Sequence, residues 1–453
     1  MAARSAPAGF GWGQIARLGL VQTALGAVVV LITSTINRVM VVELALPALV
    51  PGLLLGLHYA VQCLRPRWGY GSDRHGRRTP WIVGGMAALC LGGFGAACAT
   101  ALAASHLAAG LALAVLSFVA VGMGAGAAGT SLLVLLSSGV ADGRRGAAAT
   151  IVWVMMIAGF AVTAPLAGHF LDPFSGGRLV AVSGTVSVLA FAVACLAVAG
   201  VERRGAAPAA ATQKAPFRAV LARVLAEPEA RRFTLFIFVS MLAYSAQELI
   251  LEPYAGLAFA MTPGATTKLS GLQHGGVLLG MLAVAAVTAG IGGPVLGSLR
   301  LWTVAGCLGS GAALLAIAAA ASAGPGFPLR GAVFALGIAN GVYAVAAIGT
   351  MMGLAGAGDP AERGTRMGVW GAAQGVAFGA GGVLGTLCVD LARLAVDEPA
   401  RAYAAVFSAE AVLFGLSAVI ALRLAAPATS PPRRENALAG AARLALGSGF
   451  EAR

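Results

Sequence analysis

The stretch Gly69-Tyr-Gly-Ser-Asp73-Arg74-His75-Gly76-Arg77-Arg78 lies between two apolar runs, about residues 48–66 and 80–102, each of a length that can cross a bilayer. Gly69 and Gly76 permit a tight turn. Asp73 can meet the positive end of a neighbouring helix or a guanidinium, and Arg74, Arg77 and Arg78 put charge where a membrane meets water. On charge alone the run is also readable as an orientation anchor. In either case it joins two membrane-crossing segments.

Outward from this loop the pattern recurs. Candidate spans fall at about 18–40, 48–66, 80–102, 107–136, 147–170, 178–200, 233–252, 268–291, 299–322, 329–354, 366–390 and 402–424, which makes twelve. Of the 453 residues, 59% are hydrophobic and 10% charged, a balance that excludes an ordinary soluble protein. The net charge of +13 would suggest nucleic acid in a soluble chain. Here the arginines sit in short loops between apolar segments, so the expected partner is membrane lipid and no nucleic acid. With the N-terminus in the cytoplasm, 24 Lys and Arg residues fall on that side. Six fall on the other: Arg38, Arg178, Lys268, Arg330, Arg393 and Arg401. Both termini are therefore expected to be cytoplasmic. The apolar stretch from Leu18 to Ile36 has no small-residue cleavage pattern behind it and reads as an uncleaved first span. Cys63, Cys90, Cys98, Cys195, Cys307 and Cys388 all fall in apolar segments without metal-ligand spacing, and read as small buried packing residues.

Segment 201–232, alanine-rich and then basic, divides the chain into halves of nearly equal length. The expected organisation is an N-terminal six-helix bundle at 1–200, a cytoplasmic linker at 201–232, a C-terminal six-helix bundle at 233–426 and a cytoplasmic tail at 427–453. Asp142-Gly-Arg-Arg145-Gly146 before Trp153 is echoed by Asp359-Pro-Ala-Glu-Arg363-Gly364 before Trp370, one loop per half. The counterpart of the Asp73 loop, Gly292 to Arg300, lacks the aspartate. Gly122, Gly124, Gly126 and Gly129 in helix four, and Gly379, Gly381, Gly382 and Gly385 in helix eleven, form small faces that suit close packing within each bundle or docking of a foreign helix.

Ionisable groups at membrane depth cost a few kcal/mol, so each is a functional candidate. His58 lies near mid-membrane with Gln62 one turn on. That imidazole suits an axial ligand to a tetrapyrrole magnesium, a protonation site, or a hydrogen bond to Gln62. Tyr244, Glu248 and Glu252 form one stripe near the end of helix seven beside Gln247, and helix eight begins nearby with Gln273 and His274. The carboxylates suit proton coupling, cation or magnesium-centre binding, or a water-exposed cap. Arg38 and Glu43 are five apart, a poor pairing interval on an α-helix, so the partner of each is expected on another segment. Asn340, Tyr343, Gln374 and Glu410 read as interhelical hydrogen-bonding residues. There is no Walker loop, nucleophile elbow, Cys-His metal set or dinucleotide fingerprint, so an enzyme is not expected.

The Asp73 loop resembles the signature that secondary transporters of the major facilitator superfamily carry between their second and third helices. Six longer stretches resemble one branch of it: Thr35 to Leu44, Leu57 to Gln62, Arg65 to Asp73, Gly76 to Trp81, Ala246 to Gly256 and Leu269 to Val277 are similar to the PucC/LhaA family of phototrophic bacteria. The resemblance implies an all-α, twelve-helix major facilitator fold. It also implies an assembly factor of the inner membrane that takes bacteriochlorophyll or a late precursor as cargo and hands it to light-harvesting antenna polypeptides. Bacteriochlorophyll synthase and the reaction-centre core complex are implied neighbours. His58, Gln62, Glu248, Glu252, Gln273 and His274 all fall in family-like segments and become pigment-contact candidates, His58 first and His274 second as axial ligands. The alternative is a proton-coupled transporter of a small molecule, which the Asp73 loop and the intramembrane glutamates suit and the sparse polar lining of helices four, five and ten does not.

Overall fold

The computed structural model of the chain describes residues 10–64, 77–140, 144–202, 226–288, 296–357 and 363–424. Gly69, Asp73, Arg74 and Gly76 lie outside the described residues, as do most of the linker and the tail. The described residues form twelve α-helices and no strand. They are α1 (Trp12–Val30), α2 (Leu49–Gln62), α3 (Thr79–Ala103), α4 (Leu107–Gly139), α5 (Arg145–Leu171), α6 (Gly176–Val198), α7 (Pro228–Phe259), α8 (Pro263–Ala286), α9 (Leu299–Ala323), α10 (Leu329–Ala357), α11 (Arg363–Ala395) and α12 (Pro399–Leu422). Helix is what such apolar runs must form in lipid, where the backbone finds no water and bonds to itself. Eleven are long and apolar enough to span, so the chain is a multi-pass membrane protein.

Three boundaries differ from the sequence expectation. Among the described residues α2 has 14 residues, or about 21 Å of helix, shorter than a hydrocarbon core of about 30 Å. Helix α7 starts at Pro228, inside the segment read as linker, and runs to Phe259 through Pro253. Helix α8 starts at Pro263, where Thr262 caps it by accepting from the Ala265 N–H and proline suits the first turn. Glu248, Glu252, Gln273 and His274 therefore sit inside long helices rather than near helix ends.

The packing repeats with an offset of six. Helix α1 packs on α5 and α6, α3 on α4 and α6, and α2 on α4; likewise α7 packs on α11 and α12, α9 on α10 and α12, and α8 on α10. Between the halves the main contacts are α5 with α8 and α2 with α11, again equivalent under that offset. One hydrophobic core is built from α1–α6 with Leu249, and a second from α7–α12 with Val41 and Ala48. The glycine faces are largely covered by the chain's own helices, with Gly129 left facing open space. A Cβ on Gly124 would lie 2.3 Å from the Leu89 nitrogen of α3, and Gly381 and Gly385 face Leu242 and Ala246 of α7. The cysteines differ from expectation: Cys90 and Cys307 are buried, Cys63 and Cys388 are exposed.

Candidate functional site

The spacing of α1 changes beyond Val30. Leu31–Ile36 and Val39–Glu43 are π-helical, with the Asn37 and Leu44 N–H groups bonded to the carbonyls of Ile32 and Val39. A π-turn brings residues five apart onto one face, and such turns concentrate at functional sites. Arg38 and Glu43, a poor pair on an α-helix, consequently form an ion pair. Arg38 also reaches another segment, donating to the Met261 carbonyl at 2.7 Å. Pro253 lacks the N–H that would bond Leu249, and the Asn37 side-chain amide donates to that carbonyl at 2.6 Å. Thr35 and Thr267 hydroxyls meet at 2.9 Å, tying α1 to α8.

Against this segment lies the stripe of α7. Glu248 stands beside Thr33, and Glu252, buried, lies near Ser34, Thr266, Ser270 and Arg38 with its Oε2 unpartnered among the described residues. Gln247 is buried with neither end of its amide partnered among the described residues. Towards the side of the termini the stripe meets aromatic rings: Tyr244 and Tyr59 both pack on Phe378, at 5.8 and 5.4 Å between centroids.

The two histidines differ in what their rings do. In α8, His274 is buried, its ring edge-on to Phe160 of α5 at 4.8 Å. Its Nδ1 lies 2.9 Å from the Ser270 carbonyl. A carbonyl only accepts, so Nδ1 carries the proton and Nε2 keeps its lone pair. In α2, His58 Nε2 lies 2.7 Å from the Gln62 amide nitrogen, and the ring packs edge-on to Tyr59. Of the three roles open to His58, the hydrogen bond to Gln62 is formed, and it occupies Nε2. Ser270 links Glu252 and His274 into one neighbourhood, while His58 and Gln62 stand apart on α2. Gln273 is buried beside α10, its backbone carbonyl against Gly337.

Of the residues read as interhelical, Asn340 accepts from Ser310 at 2.8 Å, while Glu410 is buried with neither carboxylate oxygen partnered among the described residues. The Thr33-Ser34-Thr35 run was missed. Three consecutive hydroxyl residues in an apolar span were the available signal. Among the described residues no group of three His, Cys, Asp or Glu side chains is placed to hold a metal ion.

The family described as PUCC protein matches residues 35–429. The chain belongs to that family. A relative in Rhodobacter capsulatus, the "Bacteriochlorophyll synthase 44.5 kDa chain", is 53% identical over 91% of this chain and 95% of its own length. "Protein PucC" of Cereibacter sphaeroides is 29% identical over 91% of this chain and 92% of its own. Among solved structures, a bacterial homologue of the human lysosomal transporter Spinster superposes with a TM-score of 0.64 at 15% identity, covering 91% of this chain and 96% of that one. At that identity the likeness concerns the fold: two six-helix halves of the major facilitator type.

Proposed function

We propose that this PUCC-family chain carries bacteriochlorophyll, or a late precursor, and delivers it to light-harvesting antenna polypeptides at the bacterial inner membrane. The observation that carries the reading is His274. Its Nδ1 proton is committed to Ser270, which leaves the lone pair on Nε2, and its ring lies edge-on to Phe160 in a seam that also holds Glu252. A neutral imidazole so oriented would ligate the magnesium of a tetrapyrrole, and the Phe160 ring beside it suits a flat, lipid-soluble cargo. Tyr59, Tyr244 and Phe378 form a second aromatic cluster, and Gln273, Glu248 and the His58–Gln62 pair are further polar candidates for contact. In this reading α1–α6 and α7–α12 are the moving halves, the segment between Val198 and Pro228 is the cytoplasmic linker and 427–453 a cytoplasmic tail. Bacteriochlorophyll synthase and the reaction-centre core are neighbours.

The name of the Rhodobacter capsulatus relative contains a synthase, and our reading assigns this chain carriage rather than catalysis. Purification in mild detergent from a host that makes bacteriochlorophyll tests both points. Near-infrared pigment should accompany the protein, and a late precursor supplied to the purified chain should remain unconverted. A colourless protein, or conversion by the chain alone, would contradict the proposal. A proton-coupled small-molecule transporter is the second reading, favoured by the Glu248–Glu252 stripe facing hydroxyls of α1 and α8. Metabolite uptake that depends on both glutamates would support it instead.

A further inference from the structure

Among the described residues, the hydrogen bonds that tie the first six helices to the last six gather on the side away from the start of α1 and the end of α12, and two aspartates there make a matched pair of contacts. Asp172, which follows α5, accepts from the Thr262 hydroxyl at 3.1 Å and the Gly264 N–H at 3.3 Å, at the N-terminus of α8. Asp390, near the end of α11, accepts from the backbone N–H groups of Ala48 and Leu49 at 3.0 and 2.8 Å, at the N-terminus of α2. Helix eleven is the counterpart of helix five, and helix two of helix eight. Each half thus sends an aspartate from its fifth helix onto the positive end of the other half's second helix. At a helix N-terminus the unbonded N–H groups and the macrodipole both favour an anion.

The helices are brought close together at both places. A Cβ on Gly264 would lie 2.3 Å from the Asp172 carboxylate and 2.5 Å from the Gly168 carbonyl. Across the other seam, a Cβ on Gly52 would lie 2.1 Å from the Thr386 hydroxyl oxygen. Helices α5 with α8 and α2 with α11 are the main contacts between the halves, so any rocking of one half on the other that opens this side must break both contacts together.

We propose that Asp172 and Asp390 are a symmetry-paired latch that holds the side away from the termini closed and sets the ratio of its closed to open states. The proposal does not depend on what the cargo is. Because both bonds break in one movement, their contributions to that ratio multiply. The test places spin labels at Ser105 and Ser322, exposed positions of the two halves on that side, in the otherwise cysteine-free full chain in lipid nanodiscs. Distances are then measured by double electron–electron resonance. Asp172→Asn and Asp390→Asn should each raise the open-to-closed ratio about three- to tenfold, the scale of a helix-end charge contact, and the double variant by the product. Gly264→Ala, which displaces the Asp172 carboxylate without removing it, should shift the distribution in the same direction. Asp390→Glu, which keeps the charge, should stay nearer wild type than Asp390→Asn. A double variant with the wild-type distribution, or a response to only one of the two aspartates, would overturn the latch.

Discussion

Arg38→Met should destabilise the protein far more than Glu43→Gln, although the two residues form one ion pair. The Arg38 side chain is 3% exposed and that of Glu43 is 38% exposed. Removing Arg38 takes the donor from the Met261 carbonyl and the cation from beside Glu252, both within the seam. Breaking a buried charged network in this way costs about 3–5 kcal/mol, and the lower end, about 3 kcal/mol, applies because Glu43 can turn to water. Glu43→Gln leaves Arg38 its bond to the Met261 carbonyl, so its cost should stay in the range of an exposed pair, about 0.2–1 kcal/mol. Denaturant unfolding in mild detergent of the wild type, both single variants and the double variant would give each cost and the coupling, expected at about 1 kcal/mol or less. Equal losses from the two single variants would refute the reasoning, because the ion pair rather than the burial of Arg38 would then hold the segment. A wild-type Arg38→Met would remove Arg38 from the seam's stability altogether.

A Cβ on Gly337 would lie 2.1 Å from the Gln273 carbonyl, so Gly337→Ala must push α10 from α8. It should cost about 1–3 kcal/mol, visible as a lower thermal midpoint, and reduce pigment occupancy at His274. Burial works to raise the pKa of Glu202, but the N–H groups of Thr79 and Arg78, the Thr79 hydroxyl and the Arg78 charge outweigh it, so the carboxyl titrates below its ordinary value. The stability it adds to the start of α3 is present above the ordinary glutamate range and lost as pH falls through the lowered value. The gap in thermal midpoint between wild type and Glu202→Gln should therefore close on acidification, and a gap independent of pH would refute it. His274→Leu should lower near-infrared pigment per protein severalfold, and His58→Leu should lower it less. The reverse order would return the axial role to His58.

Twelve apolar runs with charged loops between them were legible as helices because a lipid environment leaves the backbone one choice, and the Asp142 and Asp359 loops already announced two halves. What was not legible depends on local backbone register. Arg38 and Glu43 looked mismatched because an α-helical spacing was assumed, and only the π-turns bring them together. The seventh span was read at about 233–252, yet the helix continues through Pro253, and Asn37, on another helix, bonds the carbonyl that the proline leaves free. Asp172 and Asp390 sit in sequence contexts with no motif, and their meaning appears only when opposite helix ends are brought to them. The candidate residues of α7 and α8 were found because glutamates and a histidine are costly in a membrane. Which nitrogen of His274 is free depends on its carbonyl partner, which spacing does not state.

Deletion of the gene in a phototrophic host grown under low oxygen, with total bacteriochlorophyll and antenna polypeptides measured in the same membranes, puts delivery to its test. Carriage of pigment to the antenna predicts that pigment synthesis continues while antenna absorption and antenna polypeptides fall together, and that the wild-type chain restores both. Normal antenna absorption in that strain, with no redundant homologue expressed, would contradict it.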